Sequence, residues 1–242
     1  MSTEPRVEVH DDPRVLATAV AGELLGRLAD AQRAGRVPQV VLTGGTIAGH
    51  VHEAVAQLAP ASEVDWSRVV LWWGDERFVA PDSEERNAGA ARRAFVDAVG
   101  VPEEQVHEMP STADADDVEA AAEAYAATFA AHGADELEVV MLGMGPDGHV
   151  ASLFPGQAAL AVEDRDVVAV PDSPKPPPQR VSLTFPALRR ARAVWFLVSG
   201  EAKAGAVAQA LGDAAVEQIP AVGVSGREET TWFIDREAAS AV

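Results

Sequence analysis

The sequence predicts an α/β fold, and three observations predict it. β-rich runs alternate with helical stretches from one end of the chain to the other. The strongest runs, VPQVVL (37–42), VVLWW (69–73), LEVVML (137–142) and AVWFLV (193–198), are nearly continuous in apolar residues, as strands buried on both faces must be. The segments between several of them are long enough for the crossover helices that parallel strands require. The expected arrangement is a mainly parallel, doubly wound (Rossmann-like) sheet with helices on both faces.

Taken in order, a helix is expected from about residue 12 to 33 and a buried strand over 37–42. The pattern turns helical over 46–58, returns to a strand at 69–73 and becomes helical again from about 85 to 99. The alanine-rich stretch 118–132 is a helix, followed by the strand at 137–142. Residues 167–170, 181–183, 193–198 and 231–234 supply further strands, and 201–211 a helix. Residues 171–180 (PDSPKPPPQR) cannot form a helix or a central strand and read as a stiff connector. The 242 residues are expected to form a single domain, 1–242, and no internal repeat is visible.

Composition excludes several function classes. There are no cysteines, which rules out disulfides and thiolate metal sites and fits a cytoplasmic location. The N-terminus, MSTEPRVEVHDDP, lacks the apolar core of a signal peptide, and no apolar run approaches the length of a membrane span. A net charge of −19 repels nucleic acid and anionic membranes, so neither is an expected partner. Any anionic substrate then needs a local convergence of basic residues.

In a doubly wound sheet, ligands bind beyond the carboxyl ends of the strands. The first strong strand ends in Thr43-Gly44-Gly45-Thr46, where glycines admit a ligand to the backbone and a helix start offers free N–H groups to an anion. The same residues would also serve an ordinary strand-to-helix turn. The second ends in Gly74-Asp75-Glu76-Arg77, whose three charges are expected to face solvent or a cleft. Arg77 suits a bidentate grip on phosphate, and an ordinary solvated loop is the alternative.

The third ends in Gly143-Met144-Gly145-Pro146-Asp147-Gly148-His149, a formal G-x-G-x-x-G. A dinucleotide site is rejected, because Pro155-Gly156 leaves no room for the helix such a site needs. The placement of His149 instead suits a general base, kept neutral by a neighbouring helix N-terminus and oriented by Asp147. His50 and His52 lie two apart and would project to nearly opposite sides of a helix, which argues against a metal pair. His10, His107 and His132 fall in polar or terminal segments. After the strand at 193–198, Lys203 falls in a first helical turn, unfavourable to the helix dipole unless a phosphate intervenes. An exposed, tolerated lysine is the alternative. Arg180, entering RVSLT, is another basic candidate.

Together the segments VVLTGGT, LWWGDERFVAPDSEERN, VVMLGMGPDGHVASLFPG, RVSLTFPAL and VWFLVSGEAKAGAV resemble the 6-phosphogluconolactonases, within the wider group that includes the glucosamine-6-phosphate deaminases. The resemblance implies hydrolysis of 6-phospho-D-glucono-1,5-lactone to 6-phosphogluconate, in the oxidative pentose phosphate pathway, with no redox cofactor and no catalytic metal. It places the water-activating base on His149 and the phosphate and sugar contacts on Gly44, Gly45, Thr46, Arg77 and Lys203, with Arg180 as an addition. The implied partner is a small phosphorylated sugar lactone, and a monomer is expected.

The deaminases differ from this chain at two places. They resemble DEY where this chain has Asp75-Glu76-Arg77, and they follow their histidine with AFNEP, where Phe154 here takes the place of the glutamate. Asp75 remains where the deaminases keep their base, so its part in catalysis, like that of Asp147, stays open. A sugar-phosphate-binding module without catalysis is a further alternative. A Ser-His-Asp esterase lacks its G-x-S-x-G elbow.

Overall fold

The computed structural model describes residues 4–133 and 136–242, so the first three residues of the N-terminal segment lie outside the described residues. Strand β1 (Arg6–His10) is followed by helix α1 (Pro13–Arg33). Asp12 starts that helix: its Oδ1 accepts from the N–H groups of Arg14 and Val15, and Pro13 occupies the first position, where no N–H is missed. Next come β2 (Gln39–Leu42), α2 (Thr46–Leu58), β3 (Val70–Trp73) and β4 (Asp75–Arg77). The helix expected over 85–99 forms as α3 (Asn87–Ala91), a wider π-type turn (Arg92–Val96) and α4 (Asp97–Val99). After β5 (Val106–His107), Asp117 accepts from the Ala120 N–H and opens α5 (Val118–His132). β6 (Leu137–Gly143), β7 (Val167–Val170), β8 (Arg180–Leu183), α6 (Phe185–Leu188), β9 (Ala191–Val198), α7 (Ala204–Ala210) and β10 (Glu229–Asp235) complete the order.

Seven strands form one parallel sheet in the order β1-β10-β9-β6-β2-β3-β5. Successive residues point to opposite faces, and both faces are covered. Val41, Trp72, Val140 and Phe196 pack with Tyr125 and Phe129 of α5 on one side. Val40, Leu71, Val139 and Trp195 pack with Leu16, Val20 and Leu24 of α1 and Ile47 and Val51 of α2 on the other. This is the covered, doubly wound sheet that the sequence predicts.

Two predicted strands lie elsewhere. β7 and β8 join β4 in a separate antiparallel sheet, order β4-β8-β7. The reason is the connector: residues 171–179 return the chain directly, and parallel pairing would need a crossover long enough to hold a helix. Among the described residues, no helix is long and apolar enough to cross a membrane.

One buried hydrogen-bonded group ties the two layers to the end of β3. The Tyr125 hydroxyl accepts from the Trp73 N–H at 3.1 Å and donates to the Trp73 carbonyl at 3.2 Å. Both side chains are fully buried. Tyr125→Phe strands the Trp73 N–H, and urea denaturation should show a loss of about 1–3 kcal/mol, the cost of an unsatisfied buried donor.

Candidate active site

The strand order reverses between β2 and β6: β2 leads on to β3 at one side, while β6 leads on to β9 at the other. No crossover helix can cover the carboxyl ends of both, and a crevice opens there. At its floor the Gly143 N–H donates to Thr43 Oγ1 at 3.2 Å, joining the loops that follow the two strands. Gly44 lies so close to Asn87 that a Cβ would sit 1.8 Å from its Oδ1. Gly45 caps α2 at φ 96°, without a side-chain cap, so the first-turn N–H groups at the crevice have no partner among the described residues.

After β6 the chain does not enter a helix. Met144, Val150 and Leu153 make isolated bridges, and the backbone turns through Gly148 at φ 77° and Ala151 at φ 47°. His149 Nδ1 bonds Asp147 Oδ1 at 2.5 Å, which places the ring proton on Nδ1 and the lone pair on Nε2. The ring stacks on Phe154, with centroids 4.4 Å apart. Gly145 passes beneath it: a Cβ there would lie 2.0 Å from His149 Cε1. Burial lowers the imidazole's affinity for a proton below the ordinary value of 6.5, the nearby Lys175 charge works in the same direction, and Asp147 and Asp75 oppose it. Burial is the largest cause of the shift, and the Lys175 charge adds to it. Burial also disfavours the Asp147 anion, but the hydrogen bond and charge of His149, with Lys175, hold it below the usual carboxylate range.

The small sheet supplies the wall. β4 and β8 pair with Arg77 opposite Arg180 and Asp75 opposite Ser182. The expectation that all three charges of Asp75-Glu76-Arg77 face solvent or a cleft fails for Glu76, which is buried. Its carboxylate accepts from the backbone N–H groups of Arg77, Asn87 and Ala88, at 2.8–2.9 Å, with Arg86 at 4.0 Å. Burial nonetheless raises its pKa. Glu76 thus fixes the strand bearing Arg77 to the start of α3, and Asn87 bonds both the Arg77 guanidinium and the Asp75 carbonyl. The Asp75 carboxylate accepts from Ser152 Oγ at 2.7 Å and lies 3.8 Å from Arg180, making no hydrogen bond to His149.

Arg180 lines the crevice, but its donors point back into the protein. Nε donates to the Pro177 carbonyl, and Nη2 to those of Lys175 and Pro176, all at 3.2–3.3 Å. The residue holds the proline-rich connector in place. Lys203 is the last residue of a 3-10 turn (Glu201–Lys203) just before α7. Its side chain makes no hydrogen bond or ion pair with the described residues, and burial, aided by the Lys175 charge, lowers its pKa. Asp235 supports its loop, accepting from Ser199 Oγ at 2.6 Å and from the Gly200 N–H.

The resulting cleft, of about 560 Å³, brings together Gly44, Gly45, Thr46, Asp75, Arg77, His149, Arg180 and Lys203. Asp147 stands behind His149. Sequence reasoning missed two contributors, Lys175 and His50. His50 follows Thr46 by one helical turn, a spacing that could have revealed it. Lys175 is placed by the shape of its loop, which no local pattern encodes. His52 lies in the core against Phe95, and burial lowers its pKa to about 4. Among the described residues no group of three or more acidic or histidine side chains could hold a metal ion.

This geometry coincides with broad sequence similarity. The family described as glucosamine-6-phosphate isomerases/6-phosphogluconolactonase matches residues 11–232. The chain belongs to this family. Within the family, the 6-phosphogluconolactonase of Streptomyces coelicolor is 44% identical over 249 residues, covering 99% of this chain and 95% of the relative. That of Mycobacterium tuberculosis is 45% identical over 243 residues, covering 97% of each. The crystal structure of the family member from Thermotoga maritima, a 6-phosphogluconolactonase, superposes with a TM-score of 0.85 at 28% identity, over 96% of this chain and all of that one.

Gly145→Ala places a methyl group where the His149 ring lies. It should push the ring off Asp147, and the NMR signal of the Nδ1 proton, held by that hydrogen bond in the wild type, should be lost.

Proposed function

We propose that this protein hydrolyses 6-phospho-D-glucono-1,5-lactone to 6-phospho-D-gluconate, in the oxidative pentose phosphate pathway, with His149 as general base. The observation that carries the mechanism is the Asp147–His149 hydrogen bond, which leaves Nε2 as the acceptor at a cleft bearing Arg77, Lys175, Arg180 and Lys203. Near-complete coverage by 6-phosphogluconolactonases at 44–45% identity supports the reaction.

In this reading His149 Nε2 takes a proton from water as the water oxygen bonds to the lactone carbonyl carbon. The carbonyl electrons move to oxygen, and the tetrahedral intermediate collapses by breaking the bond to the ring oxygen. The imidazolium returns its proton to that leaving oxygen, giving the acid and a free hydroxyl. A δ-lactone is reactive enough to need no covalent nucleophile. The N–H groups of Gly143, Gly145 and Gly148 are bonded within the protein, so the developing oxyanion takes its donors elsewhere, with the Gly44-Gly45 segment the candidate.

Arg77, Lys203 and the start of α2 bind the phosphate, holding the carbonyl over His149. Arg180 shapes the wall, and Asp75 orients Ser152 and balances the cationic side of the cleft. The protein acts in the cytoplasm as a single-domain monomer on a small phosphorylated lactone and does not engage nucleic acid. The deaminase reading has less support, because Phe154, which cannot transfer a proton, stacks on His149.

The test follows acid release from freshly generated 6-phosphogluconolactone above the spontaneous rate. Wild type should accelerate it, and His149→Ala should lose about 10²–10⁴-fold in kcat. Arg77→Ala and Lys203→Ala should each raise KM about tenfold or more with a smaller change in kcat, the scale of a lost charge-assisted contact. Because His149 binds its proton less tightly than an ordinary imidazole, the neutral base persists to lower pH, and the acidic limb of kcat/KM should lie below pH 6.5. Ammonia release from glucosamine 6-phosphate, without lactone hydrolysis, would overturn the assignment.

A further inference from the structure

The proline-rich connector brings a lysine to the hydrolytic pair. Lys175 Nζ lies 3.3 Å from Asp147 Oδ1 and 3.2 Å from His149 Nδ1. Since Nδ1 already shares its proton with Asp147 Oδ1, the ammonium and the imidazole N–H converge as two donors on a single carboxylate oxygen. Nothing in the loop's own architecture requires the lysine side chain. The Ser173 N–H bonds the Pro178 carbonyl, Ser173 Oγ bonds the backbone of Lys175, and Arg180 clasps three carbonyls. The Lys175 side chain itself is 38% exposed.

We propose that Lys175 is a positioning residue of the hydrolytic centre: it steadies Asp147 against His149 and opposes positive charge on the imidazole, so that the ring meets substrate as the free base. The proposal rests on the lactonase reading above. An Asp–His pair alone favours imidazolium, since the carboxylate stabilises the charged ring. A base held in that form at neutral pH cannot accept a proton from water. Asp147 on its own loop and Asp75 on β4 favour the charged ring and Lys175 on the connector opposes it, while Arg77, Arg180 and Lys203 line the same cleft without contacting the imidazole. The same charge assists the second half of the reaction, because an imidazolium beside an ammonium gives up its proton more readily to the departing ring oxygen.

The test compares wild type, Lys175→Met and Lys175→Arg by NMR titration of the His149 ring and by the pH dependence of kcat. In Lys175→Met the His149 midpoint should rise by about one unit, the order expected for loss of one adjacent like charge. The acidic limb of kcat should move by the same amount, with up to about tenfold less activity at pH 6, recovering toward wild type at pH 8, and KM within about twofold. Lys175→Arg keeps the charge and should restore both the midpoint and the limb.

An unchanged midpoint and limb in Lys175→Met would overturn the proposal. So would a loss confined to KM, which would make Lys175 a phosphate ligand, or a loss equal at every pH. The ring titration needs no lactone. If wild-type protein fails to hydrolyse the lactone, the functional reading falls. If it hydrolyses it and neither midpoint nor limb moves, only the role of Lys175 does.

Discussion

Two adjacent parallel strands whose chains leave in opposite directions cannot both be roofed by their own crossovers, and the whole site grows from that geometric constraint. β2 and β6 are such a pair. Their ends are the natural places for glycine, because backbone, helix start and ligand must approach one another closely. β3 and β9, the outer neighbours of this pair, deliver Asp75, Arg77 and Lys203 to the same rim. The small antiparallel sheet then closes one side by laying β8 against β4, with Arg180 across from Arg77. Five separate stretches of sequence meet around one cleft because the sheet's order reverses once.

The electrostatics are arranged against the background of the chain. At a net charge of −19 the average surface opposes an anionic ligand, yet the cleft gathers Arg77, Lys175, Arg180 and Lys203. Repulsion from exposed acidic groups is screened beyond about 8 Å at physiological salt, so the local cations dominate once a ligand has entered. Holding them there needs internal anions. Asp75 lies beside Arg180, Asp147 beside Lys175, and buried Glu76 binds backbone N–H groups that fix Arg77 and Asn87. Lys203 alone among the four is left without a partner in the described residues. The imidazole at the centre is desolvated by Phe154, which also occupies the space where a second proton-transfer group could stand.

Much of this was legible in the sequence. Buried strands such as LEVVML announce themselves by unbroken apolar character, and α5 by its alanine-rich stretch. The glycine-rich strand ends mark the position of the cleft. β1 was missed because Val7 and Val9 are exposed on an edge strand, so its RVEVH pattern carries no signal of burial. β4 was missed because Asp-Glu-Arg has no strand character of its own; its pairing with β8 makes it one. No helix directly follows β6, as Pro155-Gly156 led one to expect, and Gly148 and Gly156 take turn conformations there. Lys175 and Arg180 illustrate the deeper limit. What each side chain touches is decided by the path of a ten-residue loop, and a one-dimensional pattern does not contain that path.

That loop has a consequence for how the molecule uses ligand. A surface segment rich in proline would ordinarily be a candidate for a flap that orders only when substrate arrives. Here a single guanidinium binds three successive carbonyls of the segment from inside the protein. The conformational entropy of the segment is therefore surrendered during folding, and ligand binding need not supply it. A ligand that enters the cleft meets a wall whose backbone Arg180 already holds in place.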